Sequence, residues 1–223
     1  MLPPEFFIYE TYRLNYKWYH DDGKNTALEI VTLFSKHFDI AAPGTKILDW
    51  GCGPGRIVRH FPELLPAAKI FGTDYNSDYI QWCGRNLKGI EFSLNRKDPP
   101  TIYPDNFFDA ITGLSIFTHL SENAHYGWID ELHRIVKPGG YMFITTQGRA
   151  YYSRLTTDEK KIFESGNLVT RKYVDEGNRL YSSFQPIEFM NKFFGAKFRV
   201  VESLPGELAN GEPAQDSWLL KKI

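Results

Sequence analysis

The chain has 223 residues and a formal net charge of -1 at pH 7, with 42% hydrophobic and 24% charged residues. This length suits one domain with a complete core, and the near-zero charge excludes a general basic field for nucleic acid or an anionic membrane. We expect a cytoplasmic protein, because we find no signal-peptide pattern, no apolar run of membrane-spanning length and no metal-ligand spacing of the two cysteines.

The first 25 residues are crowded with aromatic side chains. Tyr9, Tyr12 and Tyr16 recur at helical spacing and predict a helix with one aromatic face. Two interpretations stay open, a helix packed onto the domain or a lid of tyrosines over a substrate pocket. A turn over residues 21–25 and an apolar-periodic helix from Thr26 to Phe38 are expected next.

Strand-like apolar segments then alternate with helical segments, which predicts a parallel sheet covered on both faces. The predicted strands are Lys46–Trp50, Lys69–Asp74, Ile90–Leu94, Phe107–Ile116 and Tyr141–Thr146. The predicted helices run to about Leu65, from Asp78 to Leu87 with Ser77 as the cap, and from Glu122 to Val136.

The alternation changes after Gly148, and residues 147–185 are expected to form a substrate-side insertion in a single domain. The predicted elements from here on are a helix over residues 151–165, a hairpin over 168–184, a helix over 186–194 and strands over 198–201 and 217–221.

A glycine turn follows the first predicted strand. Gly51, Gly53 and Gly55 form a G-x-G-x-G pattern, which brings bare backbone and free N–H groups against a ligand. A dinucleotide site needs G-x-G-x-x-G, and the position of its third glycine is occupied by Arg56. The spacing therefore favours S-adenosylmethionine over NAD.

Polar residues at the ends of the next two strands strengthen this interpretation. Asp74 ends the second strand, where a carboxylate can accept hydrogen bonds from both ribose hydroxyls. Tyr75 follows it and is a candidate to lie against the adenine, whose edge the Asn95 amide can read. The alternative for Asp74 and Asn95 is a structural role as a helix or turn cap.

These motifs, in this order, resemble the class I S-adenosylmethionine-dependent methyltransferases. Residues 47–61 (ILDWGCGPGRIVRHF) are similar to the first motif of that family, and residues 73–76 (TDYN) to its acidic second motif. Residues 103–111 and 132–140 resemble its segments around strand four and the following helix. Residues 115–122 (SIFTHLSE) are similar to a bacterial subgroup of small-molecule methyltransferases.

The resemblance implies a Rossmann-like, doubly wound α/β fold. Its seven-stranded sheet is mostly parallel with the last strand antiparallel, and helices cover both faces. The implied cofactor is S-adenosylmethionine, without a metal, and Asp98 becomes an alternative to Asn95 because many relatives carry an acid beside the adenine. The candidate cofactor-binding residues are Asp49, Gly51, Cys52, Gly53, Gly55, Arg56, Asp74, Tyr75, Asn95, Leu114 and Ser115.

Methyl transfer from a sulfonium depends mostly on proximity and orientation, but an oxygen acceptor also needs a base. His119 is the candidate base, because it follows the carboxyl end of the fourth strand, where ligands gather in open α/β sheets. The alternative is a histidine that fixes the loop before the Glu122 helix through a backbone hydrogen bond. His125 is expected to be exposed, and Arg56 and Arg59 are candidates to pair with the methionine carboxylate.

The predicted function is methyl transfer from S-adenosylmethionine to a small organic acceptor, through oxygen rather than nitrogen or carbon. We expect a monomer or homodimer without nucleic-acid or membrane partners. The aromatic N-terminal segment and the 147–185 insertion are expected to determine the acceptor. Two rivals remain: an NAD-dependent oxidoreductase of the same fold, and a catalytically silent module that binds S-adenosylmethionine.

Overall fold

The computed structural model describes residues 1–12, 16–178, 180–195, 197–209 and 211–223. The α-helices are α1 (Glu5–Thr11), α2 (Tyr16–Ser35), α3 (Phe61–Leu64), α4 (Ser77–Asn86), α5 (Glu122–Ile135), α6 (Thr157–Glu164) and α7 (Ile187–Phe194). Short 3-10 helices cover Val58–His60, Phe117–His119 and Arg149–Arg154. The strands are β1 (Lys46–Trp50), β2 (Lys69–Asp74), β3 (Ile90–Leu94), β4 (Phe108–Gly113), β5 (Val136–Thr146), β6 (Val169–Arg171), β7 (Ser182–Phe184), β8 (Phe198–Leu204), β9 (Leu208–Ala209), β10 (Glu212–Pro213) and β11 (Asp216–Lys222).

The main sheet has seven strands in the order β3-β2-β1-β4-β5-β11-β8. Strand β1 pairs in parallel with β2 and β4, and β2 pairs in parallel with β3. The last strand, β11, runs antiparallel to both of its neighbours, β5 and β8. The predicted seven-stranded, mostly parallel sheet with an antiparallel last strand is confirmed.

Contacts divide the chain into two compact units, residues 1–112 and 113–223. In the first unit the central strand β1 is buried at four successive positions, from Ile47 to Trp50. Successive buried positions mean that both faces of the strand are covered, which explains its nearly continuous apolar sequence. Each fully buried aliphatic or aromatic side chain here stabilises the fold by about 1.5–3 kcal/mol.

The turn predicted over residues 21–25 is wrong, because helix α2 continues through it. A Cβ on Gly23 would lie 2.3 Å from the carbonyl oxygen of Arg56, so glycine lets the helix approach the glycine turn closely. The Asp22 carboxylate accepts a hydrogen bond from the Arg56 guanidinium at 2.6 Å. Turn-forming residues therefore serve tertiary packing here, which outweighs their local preference.

Several predicted boundaries shift by a few residues. Asn76, not Ser77, caps α4, because its Oδ1 accepts hydrogen bonds from the N–H groups of Asp78 and Tyr79 at 3.0 and 3.3 Å. Strand β4 ends at Gly113 instead of Ile116. Strand β5 begins at Val136, directly after α5, although its pairing with β11 starts only at the predicted first residue, Tyr141.

The predicted insertion forms a small layer of its own in the second unit. Strands β6 and β7 make the predicted hairpin as a two-stranded antiparallel sheet. The helix predicted over residues 151–165 divides into a 3-10 helix and α6. Thr156 and Glu159 form a reciprocal capping box at the start of α6, which explains why the α-helix begins there.

Candidate functional site

The glycine turn after β1 is fixed to β2 by backbone hydrogen bonds. The N–H groups of Gly51 and Cys52 both donate to the Thr73 carbonyl oxygen, at 2.8 and 3.0 Å. Gly51, Gly53 and Gly55 have φ values of 70°, 54° and 77°, a left-handed conformation that glycine adopts without steric cost. The turn therefore presents bare backbone in a shape that side-chain-bearing residues would strain.

Asp74 lies directly against this turn. Its Oδ2 accepts a hydrogen bond from the Gly53 N–H at 2.9 Å, and its Oδ1 accepts one from the Asn76 N–H at 2.8 Å. Burial raises the pKa of Asp74 to about 6, although the N–H groups of Asn76 and Gly53 oppose the rise. Each carboxylate oxygen has a second lone pair, so Asp74 can also accept hydrogen bonds from ligand hydroxyls.

Asp49 is a second buried carboxylate beside the turn, and only 3% of its surface is exposed. The Thr112 hydroxyl donates a hydrogen bond to Asp49 Oδ1 at 2.9 Å. Burial raises the pKa of Asp49 to about 7; the Thr112 hydrogen bond and the Arg56 charge lower it, and the Asp74 charge raises it further. A cation bound at this turn would stabilise the ionised form of both carboxylates.

Both arginines of the glycine turn form hydrogen bonds to other residues of this chain. Arg59 donates to the carbonyl oxygens of Gly55 and Pro54, at 2.6 and 3.0 Å, and therefore braces the turn. Arg56 pairs with Asp22 and also lies 5.0 Å from the centre of the Tyr12 ring. Their predicted contact with a methionine carboxylate stays a prediction.

The aromatic N-terminal segment packs onto the glycine turn. The fully buried Tyr19 donates its hydroxyl hydrogen to the Pro54 carbonyl oxygen at 3.2 Å. A Cβ on Gly53 would lie 3.5 Å from the Thr11 side chain. Helix α1 ends at Thr11, so the helix predicted through Tyr9 and Tyr12 is wrong at Tyr12, and its continuation over residues 13–15 lies outside the described residues.

The other predicted contacts of the cofactor at this turn are Asn95, Tyr75 and Cys52. The Asn95 amide accepts a hydrogen bond from the Thr73 hydroxyl at 2.9 Å and donates to the Arg96 carbonyl, and its contact with an adenine stays a prediction. Tyr75 is 40% exposed and lies beside Asp74. Burial raises the pKa of the Cys52 thiol, which fits a small residue in a tight turn rather than a nucleophile.

In the second unit, the half-buried Leu114 and Ser115 follow β4. Ser115 has φ 62°, an uncommon value for a residue with a side chain. Its N–H donates to the Thr145 hydroxyl oxygen at 2.8 Å, Thr145 donates to Gln215 Oε1 at 2.6 Å, and Gln215 donates back to the Ser115 hydroxyl at 2.7 Å. This closed ring of hydrogen bonds holds the loop that leads to His119.

His119 makes the hydrogen bond that a loop-fixing histidine would make. Its Nδ1 lies 2.8 Å from the Tyr181 carbonyl oxygen. Because a carbonyl only accepts, Nδ1 carries the hydrogen and Nε2 carries the lone pair in the neutral ring. Burial lowers the pKa of His119. The ring is therefore neutral at neutral pH with a basic Nε2, and the geometry suits both the structural role and the base.

The prediction that His125 is exposed is wrong, because its side chain is fully buried. His125 Nδ1 donates to the Ser121 carbonyl oxygen at 2.8 Å, and Nε2 lies 3.2 Å from the Gln185 amide nitrogen, which donates to it. Burial lowers the pKa of His125 to about 4. The signal was present in the sequence: His125 and the buried Ile129 are four residues apart and share one helix face.

Residues 47–140 match a family described as "Methyltransferase domain". This similarity to a methyltransferase domain covers 94 of the 223 residues. The resemblance to class I methyltransferases is thereby confirmed. Within the described ranges, no helix has the length and apolar character of a membrane span, and no group of three or more His, Cys, Asp or Glu residues is arranged to hold a metal.

Two curated relatives of this methyltransferase domain act on different acceptors. A fatty-acid O-methyltransferase from Mycolicibacterium smegmatis is 34% identical over 112 residues, which are 49% of this chain and 39% of that protein. A tRNA (carboxymethyluridine(34)-5-O)-methyltransferase from Arabidopsis thaliana is 31% identical over 153 residues, 65% of this chain and 34% of that protein. The chain thus spans less than half the length of these relatives.

A solved structure shares the fold at lower identity. The magnesium protoporphyrin IX methyltransferase from Synechocystis PCC 6803, solved with bound SAH, is 12% identical with a TM-score of 0.63. The match covers 92% of this chain and 85% of that chain. The predicted cofactor, S-adenosylmethionine, agrees with the family match and with the SAH bound in that structure.

Proposed function

We propose that this protein transfers a methyl group from S-adenosylmethionine to an oxygen atom of a small organic acceptor. The observation that carries the proposal is the pair of buried carboxylates at the glycine turn, Asp49 and Asp74, which are 3% and 7% exposed. S-adenosylmethionine has a sulfonium and an ammonium group, whose positive charge compensates such carboxylates. The pyrophosphate of NAD would instead add negative charge.

Each part of the turn has a role in this proposal. The Asp74 carboxylate, already oriented by the Gly53 and Asn76 N–H groups, accepts hydrogen bonds from the ribose hydroxyls. Asp49 balances the charge of the ammonium group. The left-handed glycines let the backbone approach the cofactor closely, and Tyr75 covers one face of its adenine.

His119 is the base in this proposal. When bound, the cofactor supplies an electrophilic methyl group, so the acceptor hydroxyl must lose its proton as oxygen is methylated. His119 Nε2 takes that proton, while the Nδ1–H bond to the Tyr181 carbonyl fixes the ring orientation. The fatty-acid O-methyltransferase relative supports oxygen as the acceptor atom and a small molecule as the substrate.

A tRNA acceptor is the second candidate, and the Arabidopsis thaliana relative is the observation that favours it. The net charge of -1 provides no general attraction for a polyanion, so RNA binding would depend on a local basic surface.

Calorimetry with S-adenosylmethionine, S-adenosylhomocysteine and NAD tests the cofactor. We expect binding of the first two, and a loss of about 1.5–3 kcal/mol of binding free energy in Asp74→Ala from the missing charge-assisted hydrogen bonds. Asp78→Ala, an exposed carboxylate on the adjoining helix, is the matched control and should bind as the wild type does. Tight NAD binding without a response to the other two ligands would refute the proposal.

A screen for S-adenosylhomocysteine release tests the acceptor. Phenols, hydroxy acids, fatty acids and sugars form one arm, and unfractionated tRNA forms the other. Turnover with a hydroxyl or carboxyl compound supports the first candidate. Turnover with tRNA alone would establish the second candidate and refute the small-molecule acceptor.

A further inference from the structure

The second unit contains a cavity of about 300 Å³ that the proposed methyl transfer does not use. It lies beside the carboxyl end of β5, because its lining residue Asp216 begins β11 and pairs with Thr146 at the end of β5. The carboxyl ends of strands are where open α/β sheets bind ligands. The size of the cavity suits a small organic molecule.

Asp216 is the unusual residue of this cavity, since it is a carboxylate that is only 8% exposed. Its Oδ1 accepts one hydrogen bond, from the Gly206 N–H at 2.8 Å. No cationic side chain in the described part of the chain forms an ion pair with it. A buried carboxylate is costly without a cation, and Asp216 lacks a paired charge among the described residues.

The backbone at Gly148 leaves space for the Asp216 carboxylate. A Cβ on Gly148 would lie 1.8 Å from Asp216 Oδ2, so only glycine fits at that position with the carboxylate in place. Burial raises the pKa of Asp216, and the Gly206 N–H opposes the rise. The hydrogen bond from Gly206 and the close approach of Gly148 therefore fix the position of the carboxylate in the cavity wall.

Among the described residues, three carboxylates and one guanidinium line the cavity, which gives these groups a formal charge of -2 when all are ionised. The carboxylates are Glu164, Glu188 and Asp216. The guanidinium of Arg149 lies 4.1 Å from the centre of the Tyr152 ring. The balance of charge favours a cationic ligand over a neutral or anionic one.

The apolar part of the wall includes two aromatic rings, Phe163 and Trp218. The Trp218 indole N–H donates to the Thr146 hydroxyl oxygen at 2.8 Å, which fixes the orientation of the ring. Aromatic faces attract ammonium groups and also provide contact area for an apolar body.

We propose that this cavity binds a small primary amine with an apolar body, whose ammonium group pairs with Asp216 and whose body lies against Phe163 and Trp218. The test of this site needs no methyl donor.

Calorimetry on the full chain with 2-phenylethylamine tests the charge preference. The comparison ligands are 2-phenylethanol and 3-phenylpropionate, which have similar apolar bodies with a neutral and an anionic head. We expect the amine to bind about tenfold or more tightly than the alcohol, and the anion to bind most weakly. Equal binding of amine and alcohol, or tighter binding of the anion, would overturn the proposal.

Asp216→Asn tests the named residue, because Asn keeps an acceptor for the Gly206 N–H but removes the charge. We expect about tenfold weaker amine binding and unchanged alcohol binding. Asp158→Asn, an exposed carboxylate on α6 that pairs with Lys161, is the matched control and should not change either affinity. Amine binding that Asp216→Asn leaves unchanged would contradict the assignment.

Glu188→Gln is the second variant, in case Asp216→Asn folds poorly in thermal melts monitored by circular dichroism. Glu188 lies in the first turn of α7 and lines the same cavity. We expect about threefold weaker amine binding with unchanged alcohol binding, since Glu188 is exposed and water and salt screen its charge. An unchanged amine affinity in this variant would count against the proposed charge preference.

Discussion

Asp49 lies beside the glycine turn, and its burial makes the free energy of unfolding depend on pH. Its folded pKa is raised by burial to about 7, whereas an unfolded aspartate titrates near about 3.9. The folded state therefore binds the additional proton between about pH 4 and about pH 7, and the stability that this provides is lost as pH rises through the window. The Asp49→Asn variant has no titrating carboxyl group at this position, so its stability does not decrease in this way as pH rises.

We expect Asp49→Asn to be more stable than the wild type at about pH 8 by at least about 1 kcal/mol, or about 2–4 °C in Tm, and to lose most of this advantage at about pH 5. Thermal melts without cofactor measure the difference. The exposed Asp98→Asn is the control and should show the same difference from the wild type at both pH values. A variant that is less stable than the wild type at about pH 8 would contradict the expectation.

His119 is expected to act on turnover and not on cofactor binding. His119→Ala should lower methyl transfer by about 10²–10⁴-fold and leave cofactor affinity nearly unchanged, because a base acts only on the acceptor. Since burial lowers the pKa of His119, wild-type turnover should fall only below the ordinary histidine value of about 6.5. Rates and calorimetry across pH measure both effects, with the exposed His20→Ala as the control.

Retained turnover in His119→Ala would assign the residue to the structural role. Its hydrogen bond to the Tyr181 carbonyl would then be its whole function, and the variant should instead show a lower Tm.

The residues of the candidate site differ in how far the sequence predicts them. The glycine turn and Asp74 were predictable, because their chemistry depends on neighbouring residues and on strand ends. The ring formed by Ser115, Thr145 and Gln215 was not, because its members are 30 to 100 positions apart. No local pattern indicates such a partner.

Helices show the same contrast at the scale of the element. Helix α6 begins where Thr156 and Glu159 form a capping box, a pattern that is visible in the sequence. Helix α2 instead continues through a stretch of turn-forming residues, since Asp22 and Gly23 contact the glycine turn. Local rules therefore place a helix end only where tertiary contacts do not override them.

Thr156→Ala should destabilise the chain by about 0.5–2 kcal/mol, because it removes the side-chain acceptor of the Glu159 N–H. Chemical denaturation measures the change. Thr157→Ala, the next and equally exposed position, is the matched control and should change stability less. Equal effects of both substitutions would mean that the capping box does not stabilise α6.

At the scale of the whole molecule, the parallel sheet was predictable and the order of its strands was not. Strands buried at successive positions are mostly apolar, which distinguishes them from the alternating pattern of half-exposed strands. The order β3-β2-β1-β4-β5-β11-β8 depends on contacts that no single segment encodes, whereas the number of strands and the antiparallel last strand were expected from the family resemblance.

Cofactor binding, protonation and the stability of the whole chain are linked through the two buried carboxylates. Burial raises the pKa of Asp49 to about 7 and that of Asp74 to about 6, so both are partly protonated in slightly acidic solution. A cationic cofactor binds best when both are ionised, so its affinity should rise with pH through this range and its binding should release protons.

Saturating S-adenosylmethionine should therefore raise Tm more at about pH 8 than at about pH 5.5. For a ligand at 100 times its Kd the stabilisation is about 2.7 kcal/mol, and a tenfold weaker Kd lowers it by about 1.4 kcal/mol. Melts with and without cofactor at both pH values measure the shift. In Asp49→Asn the pH dependence of the shift should shrink, because one of the two titrating carboxylates is gone, and a shift that is larger in acid would contradict the linkage.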